Sequence, residues 1–380
     1  MKILHINCNY VGTRLHRIMI KHLDKTGIDN FVFTPVYNLP KENEENKKVV
    51  VSRCFKKYDR IFFDYKSKKI RKALLMNYDV SEFDIIHAYT LFTDGNVAYK
   101  LKKKYPKIKY VVAIRNTDVN TFFKYMLHLR KRGIKIMQGA SAIFFLSEAY
   151  KEEVFNKYVP KKLKKELEKK TYIIPNGIDD FWISNSYEAK SVKSNSKNVN
   201  IIYAGRIDKN KNIETTQKSL KILQDNGYTT QFSIAGKIKN KKIFNKIMSY
   251  ENTKYYGEKN KEELIKLYRK NDIFVMPSFS ETFGLVYVEA MSQGIPVIYT
   301  RGQGFDGQFE EGIVGYSVNP KSKSEIADKI KMILKKYEEI SKNCIKKYTE
   351  YNWNKICDKY YQIYQDILYE RRKKSGEWMY

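Results

Sequence analysis

Ile273-Phe274-Val275-Met276-Pro277-Ser278-Phe279-Ser280-Glu281-Thr282-Phe283-Gly284-Leu285 carries the most informative pattern in this chain. Four apolar residues stop at a proline, which reads as a buried strand ending at Pro277. A short polar turn follows, and apolar spacing then predicts a helix over Thr282–Gln293. The N–H groups that open a helix lack intrahelical partners, and the dipole adds positive potential, so such a turn attracts a phosphate. Gly284 lets a ligand approach the backbone closely. Glu281 stands just before the helix and Glu289 lies eight residues on, roughly 12 Å along a helix axis. A diphosphate at the helix start would then have one carboxylate beside a sugar and the other beside a ribose. Carboxylates suit both positions because they accept hydrogen bonds from vicinal hydroxyls. Alone, the same pair also reads as one Glu complementing a helix dipole and another on a solvated face.

Working outward, Ala204-Gly205-Arg206-Ile207-Asp208-Lys209-Asn210-Lys211 follows an apolar strand, Val199–Ala204. Arg206 offers a planar fork and Lys211 a point charge, both suited to phosphate oxygens. Strands and helices alternate on either side. The first half has strand candidates at Lys2–Asn7, Phe31–Thr34, Lys48–Val51, Asp84–His87, Tyr110–Ile114, Ala142–Leu146 and Tyr172–Ile174, with helical patterns at Lys66–Met76 and Thr121–Arg132. The second adds Gln231–Ala235, Tyr255–Tyr256 and Val297–Tyr299, with helices after Asn212 and at Glu262–Arg269. Continuous apolar strands alternating with helices imply parallel sheets covered on both faces. The polar stretch Ser184–Asn198 reads as an exposed loop near a domain boundary. From about Ser324 the chain is helical, and Ile356, Tyr360, Ile363, Tyr364 and Ile367 give the last helix an apolar face.

Composition narrows the class. The chain has 380 residues and 42% hydrophobic content, which favours two cores over one. It has no apolar run long enough for a membrane span, and Met1–Asn7 turns polar before a signal-peptide core forms. Cys8, Cys54, Cys344 and Cys357 are scattered, without metal-ligand spacing. A cytoplasmic protein with free thiols is the expectation. The net charge is +30. Residues 101–150 hold 11 Lys and Arg against 2 Asp and Glu, whereas 251–300 hold 6 against 7. The basic excess is therefore local. It suits an anionic membrane surface or phosphorylated substrates, and no nucleic-acid-binding module accompanies it.

Pro277–Gly294 (PSFSETFGLVYVEAMSQG), with glutamates at 281 and 289, resembles the donor site of the large retaining glycosyltransferase family 4, of the GT-B fold. Gly205–Lys211 (GRIDKNK) is similar to that family's phosphate-binding motif. Ile174–Asp179 (IPNGID), Asp84–Thr90 (DIIHAYT) and Tyr351–Trp353 (YNW) fit as well, so the resemblance runs from residue 1 to about 365.

The resemblance implies an α/β protein with two Rossmann-like doubly wound domains facing a central cleft. Residues 1–180 would form the acceptor-side domain and 181–355 the nucleotide-sugar-binding domain, with a helix over 356–380 returning to the first. It further implies a retaining transfer from a nucleotide-diphosphate sugar, with UDP-sugar favoured. The acceptor would be a glycan or lipid-linked molecule in cell-surface polysaccharide synthesis, and the enzyme would sit in the cytoplasm, peripheral on the membrane face. Glu289 would hold the ribose and Glu281 the transferred sugar. Arg206 and Lys211 would offset the leaving diphosphate. Thr282, Phe283, Gly284 and Leu285 would lie against phosphate and sugar, with Gly12 approaching from the first domain. No cofactor or metal is expected, the nucleotide-sugar being a co-substrate.

Two departures from the family pattern lie in the first half, the first being Val11-Gly12 in the first loop where members often carry Gly-Gly. The family's usual His-Gly-x-Asp appears as Arg115-Asn116-Thr117-Asp118. Arg115 stays protonated and cannot serve as a base, so Arg115, Asp118 and His87 stand as candidates at the reaction centre. Gly302-Gln303-Gly304-Phe305-Asp306-Gly307 matches a dinucleotide fingerprint, yet no apolar helix follows it; a flexible loop is the expectation. The competing readings are a catalytically inert GT-B partner subunit and a GT-B sugar-nucleotide epimerase.

Overall fold

The computed structural model describes residues 1–40, 46–191 and 197–375. The chain divides into two compact units. One comprises Met1–Leu146, Tyr150–Pro175 and the C-terminal segment from Trp353; the other comprises Ser147–Ala149 and Asn176–Asn352. The domain divisions expected from sequence were 180/181 and 355/356. Residues 192–196 of the expected boundary loop lie outside the described residues, as do 376–380 of the last helix.

In the first unit the order is β1 (Lys2–Ile6), α1 (Arg14–Asp24), β2 (Asp29–Val36), β3 (Val49–Arg53), α2 (Phe63–Asn77), β4 (Ile85–Ala88), α3 (Thr93–Lys104), β5 (Lys109–Ile114), α4 (Leu127–Gly139), β6 (Ala142–Phe145), α5 (Glu148–Lys157), α6 (Lys161–Glu168) and β7 (Thr171–Ile173). Its strands form one parallel sheet in the order β3-β2-β1-β4-β5-β6-β7. Parallel pairing requires a crossover between successive strands, and helices supply most of them. Helices α2, α3 and α4 pack against one face through Ile70, Leu74, Val97, Leu101, Ile136 and Met137.

In the second unit the order is α7 (Asp180–Ser184), β8 (Asn198–Ala204), α8 (Ile213–Asp225), β9 (Thr229–Ala235), α9 (Lys241–Met248), β10 (Thr253–Tyr255), α10 (Lys261–Lys270), β11 (Ile273–Val275), α11 (Leu285–Met291), β12 (Val297–Thr300), β13 (Gly315–Val318), α12 (Lys323–Lys335) and α13 (Tyr337–Lys347). The parallel sheet runs β10-β9-β8-β11-β12-β13. The last helix, α14 (Trp353–Ser375), belongs to the first unit. Its Trp353, Ile356, Cys357, Tyr360 and Tyr364 join Met19, Ile20 and Leu23 of α1 over the second face of the first sheet.

Two expectations need correction. The helix expected over Thr282–Gln293 is α11, Leu285–Met291, because Gly284 adopts φ +79°, outside the right-handed helical region. The pattern at Thr121–Arg132 is interrupted. A π-helical turn at Asp118–Phe123 precedes α4, and Arg130 donates to the carbonyls of Phe123 and Lys124 where the two meet.

Candidate active site

In doubly wound sheets, ligands gather outside the carboxyl ends of the strands where the chain order reverses. In the second unit that point lies between β8 and β11, which pair Ile201 with Ile273 and Ile202 with Phe274. Residues 205–212 leave β8 there and residues 276–284 leave β11. The topology therefore places Gly205–Lys211 beside Pro277–Gly284.

Asn210 joins the two loops. Its Nδ2 donates to the Ser280 carbonyl at 2.8 Å, its Oδ1 accepts from the Ser280 N–H at 3.0 Å, and its own carbonyl accepts from the Phe279 N–H at 2.8 Å. Asn212, in left-handed conformation at φ 56°, caps the start of α8 and donates to the carbonyls of Pro277 and Pro320. Asn tolerates that conformation better than most residues. Neither asparagine was singled out from sequence. Their roles depend on loops about 70 residues apart meeting, and the only local signal is an Asn on each side of Lys211.

Within this frame Lys211 Nζ lies 2.5 Å from Glu281 Oε2, and both side chains are largely buried. The other oxygen, Oε1, accepts from the Thr282 N–H at 3.1 Å. Arg206 projects into solvent and its guanidinium lies 3.6 Å from Asp208, while its carbonyl accepts from the Tyr203 hydroxyl at 2.6 Å. The turn is held from behind. Phe283 is buried against Phe305 and Tyr351, at ring separations of 5.8 and 5.5 Å. The glycine-rich segment 302–307 is a packed brace rather than a flexible loop. Gln303 Oε1 accepts from the Glu281 N–H at 3.0 Å, and a Cβ on Gly304 would fall 1.8 Å from the Thr282 carbonyl. Leu285 opens α11, whose first N–H groups lack intrahelical partners.

Glu289 sits on α11, partly buried. Burial pushes its carboxyl up to about 7, with Lys261 pulling it down and Asp179 adding to the rise. Lys261 is ion-paired with Asp179.

In the first unit the reversal point lies between β1 and β4. Gly12 is exposed on the loop leaving β1, and a Cβ there would meet only the Asn9 carbonyl, at 3.6 Å. The candidates at residues 87, 115 and 118 are embedded more deeply than a contact role suggests. Asp118 is buried, and its carboxylate accepts from the N–H groups of Leu91, Phe92 and Arg115 at 2.9–3.1 Å. It braces the ends of β4 and β5. Arg115 is buried at the carboxyl end of β5, with its Nε 3.4 Å from the Tyr89 carbonyl. His87 is fully buried. Its Nδ1 lies 2.6 Å from the Tyr364 hydroxyl and its ring stacks on Tyr89 at 4.4 Å. Burial holds it well below the usual imidazole range, so it is a neutral packing group that presents no face to a ligand. Among the described residues no three His, Cys, Asp or Glu side chains come together as a metal site.

Residues 185–351 match the family described as glycosyl transferases group 1, and residues 13–180 match glycosyltransferase family 4. An uncharacterized protein in the cps region of Klebsiella pneumoniae is 34% identical over 130 residues, which are 34% of this chain and 35% of that protein. The chain thus aligns with about a third of that relative's length. The capsular polysaccharide biosynthesis glycosyltransferase CapM of Staphylococcus aureus is 26% identical over 250 residues, 63% of this chain and 64% of CapM. Among solved structures, sucrose-phosphate synthase from Thermosynechococcus elongatus superposes with a TM-score of 0.74 at 18% identity, covering 97% of this chain and all (100%) of that one. Anabaena HepE in complex with UDP and glucose superposes at 0.64 and 16% identity, covering 96% and 100%. The two family matches together take in most of the sequence, the solved structures share its pair of parallel-sheet domains, and this chain belongs to glycosyltransferase family 4, the group 1 glycosyl transferases of GT-B fold.

Proposed function

We propose that this protein is a retaining glycosyltransferase that moves a sugar from a UDP-sugar onto a glycan or lipid-linked acceptor in cell-surface polysaccharide synthesis. The observation that carries the reading is the Lys211–Glu281 pair set beside Arg206 at the β8/β11 reversal point. Cations, the open end of α11 and a carboxylate converge there, as a diphosphate attached to a sugar requires. UDP in the HepE structure and the capsular role in CapM's name support the choice of donor and pathway.

In this reading the bond from the anomeric carbon to the β-phosphate oxygen breaks first, leaving an oxocarbenium-like centre. Arg206, Lys211 and the first turn of α11 stabilise the charge gathering on the diphosphate, with no resident metal. Glu281 accepts hydrogen bonds from the sugar hydroxyls and Glu289 from the ribose. The acceptor oxygen attacks on the face the diphosphate leaves, and its proton passes to a phosphate oxygen.

Titration with a panel of UDP-, GDP- and ADP-sugars, with and without a chelator, tests this. The expected result is binding of a UDP-sugar that withstands chelation, weakened by Arg206→Ala, and turnover lost in Glu281→Gln. Binding of no nucleotide-sugar, or normal turnover by both variants, rules the reading out.

The raised carboxyl of Glu289 adds a pH dependence. A folded-state value near 7 means the native protein holds this proton from the ordinary carboxylate range up to about 7. The stability it contributes is present at the acid end of that window and is lost as pH rises through 7. Ribose recognition runs the other way, because the ionised carboxylate is the better acceptor. Donor affinity should rise roughly fivefold to tenfold between pH 6 and pH 8, as read by calorimetry. The rise should vanish in Glu289→Gln, and a flat wild-type profile would remove Glu289 from the ribose site.

A further inference from the structure

We propose that the outer face of α2, α3 and α4 in the first unit is a docking surface for an anionic lipid bilayer. A groove of about 260 Å³ runs between α3 and α4, lined by Lys100 and Lys103 on one helix and by Lys131, Arg132 and Lys135 on the other, with His128 near its start. Among the described residues no acidic side chain lines it. Arg132 is ion-paired with Asp64 in the first turn of α2, which leaves two rows of lysines facing each other across the groove. Like charges so placed repel, and a row of phosphates relieves that repulsion.

Beside the groove the surface becomes apolar. Ile61 is 79% exposed, Phe62 64%, Tyr125 69% and Leu127 62%. These residues sit where α2 and α4 begin, at the carboxyl edge of the sheet. Phe63 meets Phe122 at 6.2 Å, and Phe122 stacks on Phe92 at 4.7 Å, just past the end of β4. Two helix starts are thereby fixed side by side with their apolar residues outward.

A single-stranded polynucleotide would account for the lysines and, by base stacking, for Phe62 and Tyr125, but the exposed aliphatic groups of Ile61 and Leu127 have no role in such contact. A bilayer accounts for both, with head groups over the lysines and acyl chains around Phe62 and Leu127. Docking on this face brings the lipid against the apolar residues at the carboxyl edge of the sheet. It rests on the proposed function only in making that lipid the source of the acceptor; the surface contact stands on its own.

Co-sedimentation of the full chain with phosphatidylcholine vesicles, with and without phosphatidylglycerol, tests the surface. The wild type should bind only the anionic vesicles at low salt. Lys100, Lys103, Lys131 and Lys135 changed together to Gln should cost roughly 100-fold or more in partitioning. Phe62→Ser with Leu127→Ser should weaken binding to the anionic vesicles severalfold at the same low salt while leaving the preference for anionic lipid intact. Equal binding to neutral vesicles, indifference to the four-lysine change, or single-stranded RNA bound more tightly through the same lysines would each overturn the proposal. Nucleotide-sugar binding, followed in every variant, confirms folding and separates a failed surface from a failed enzyme.

Discussion

Lys211→Ala is expected to lower kcat roughly 100-fold to 1,000-fold, measured well below a melting temperature that falls modestly as the largely buried ion pair is opened. The reason lies in what the lysine faces before and during transfer. At rest its ammonium is neutralised by Glu281 at 2.5 Å in a largely buried setting. As the sugar–phosphate bond breaks, negative charge grows on the diphosphate, and Lys211 is the cation already fixed at that depth. Arg206, reaching in from solvent, can adjust. Alanine removes the ammonium from between the Glu281 carboxylate and the leaving dianion. KM should therefore rise as well, whereas a lysine that served only the fold would lower the melting temperature and leave kcat alone. Steady-state kinetics beside thermal melts separate these outcomes, and a kcat within threefold of wild type would dismiss Lys211 from the chemistry.

The second large effect is on the frame. Gly236, at the end of β9, has φ +139°, and a Cβ there would fall 1.9 Å from the Gly205 carbonyl. The neighbouring chain cannot retreat freely. The Gly205 N–H is bonded to the Ala235 carbonyl at 2.9 Å, and that of Ile207 to the Lys237 carbonyl at 2.9 Å. Gly236→Ala must either break these bonds or strain its own backbone, at about 3 kcal/mol or more. The melting temperature should fall by roughly 6–12 °C, and donor affinity should fall with it, because the displaced loop carries Arg206 and Lys211. Gly315→Ala is the matched control. Its Cβ would meet the Val297 carbonyl at 1.8 Å at the start of β12, away from the donor loops. It should destabilise comparably while donor affinity below the melting range stays near wild type. Equal loss of affinity in both would show that the effect is global unfolding.

Much of this architecture is legible in the sequence, for reasons that also explain what is not. Ile273–Val275 and Tyr110–Ile114 are continuous apolar runs, which both faces of a covered parallel sheet demand. Gly315-Tyr316-Ser317-Val318 forms the edge strand β13 without such a run, so no apolar pattern marks it. The motif residues at 206, 211 and 281 were found because chemistry fixes their types, and the fold brings Lys211 and Glu281 together. Asn210, Asn212 and Gln303 were not found. Each acts through a contact between distant loops, and nothing local distinguishes them from other polar loop residues. His87 stands in sequence as a reaction-centre candidate, yet the partner of its Nδ1 is the hydroxyl of Tyr364, 277 positions away. Burial of that kind belongs to tertiary structure rather than to any local pattern.

The membership of α14 in the first unit has a consequence for how the chain is made. A ribosome delivers residues 1–175 and then the second unit, which is nearly contiguous in sequence, before Trp353 emerges. Until then Tyr89, Phe144 and the inner side of α1 lack the wall that Tyr360 and Tyr364 provide. The second unit can finish folding while the first waits half-open, its apolar face available to chaperones or to other nascent chains. The final helix is thus the closing step of the first domain, and a message truncated before it yields a protein with one folded half and one unfinished.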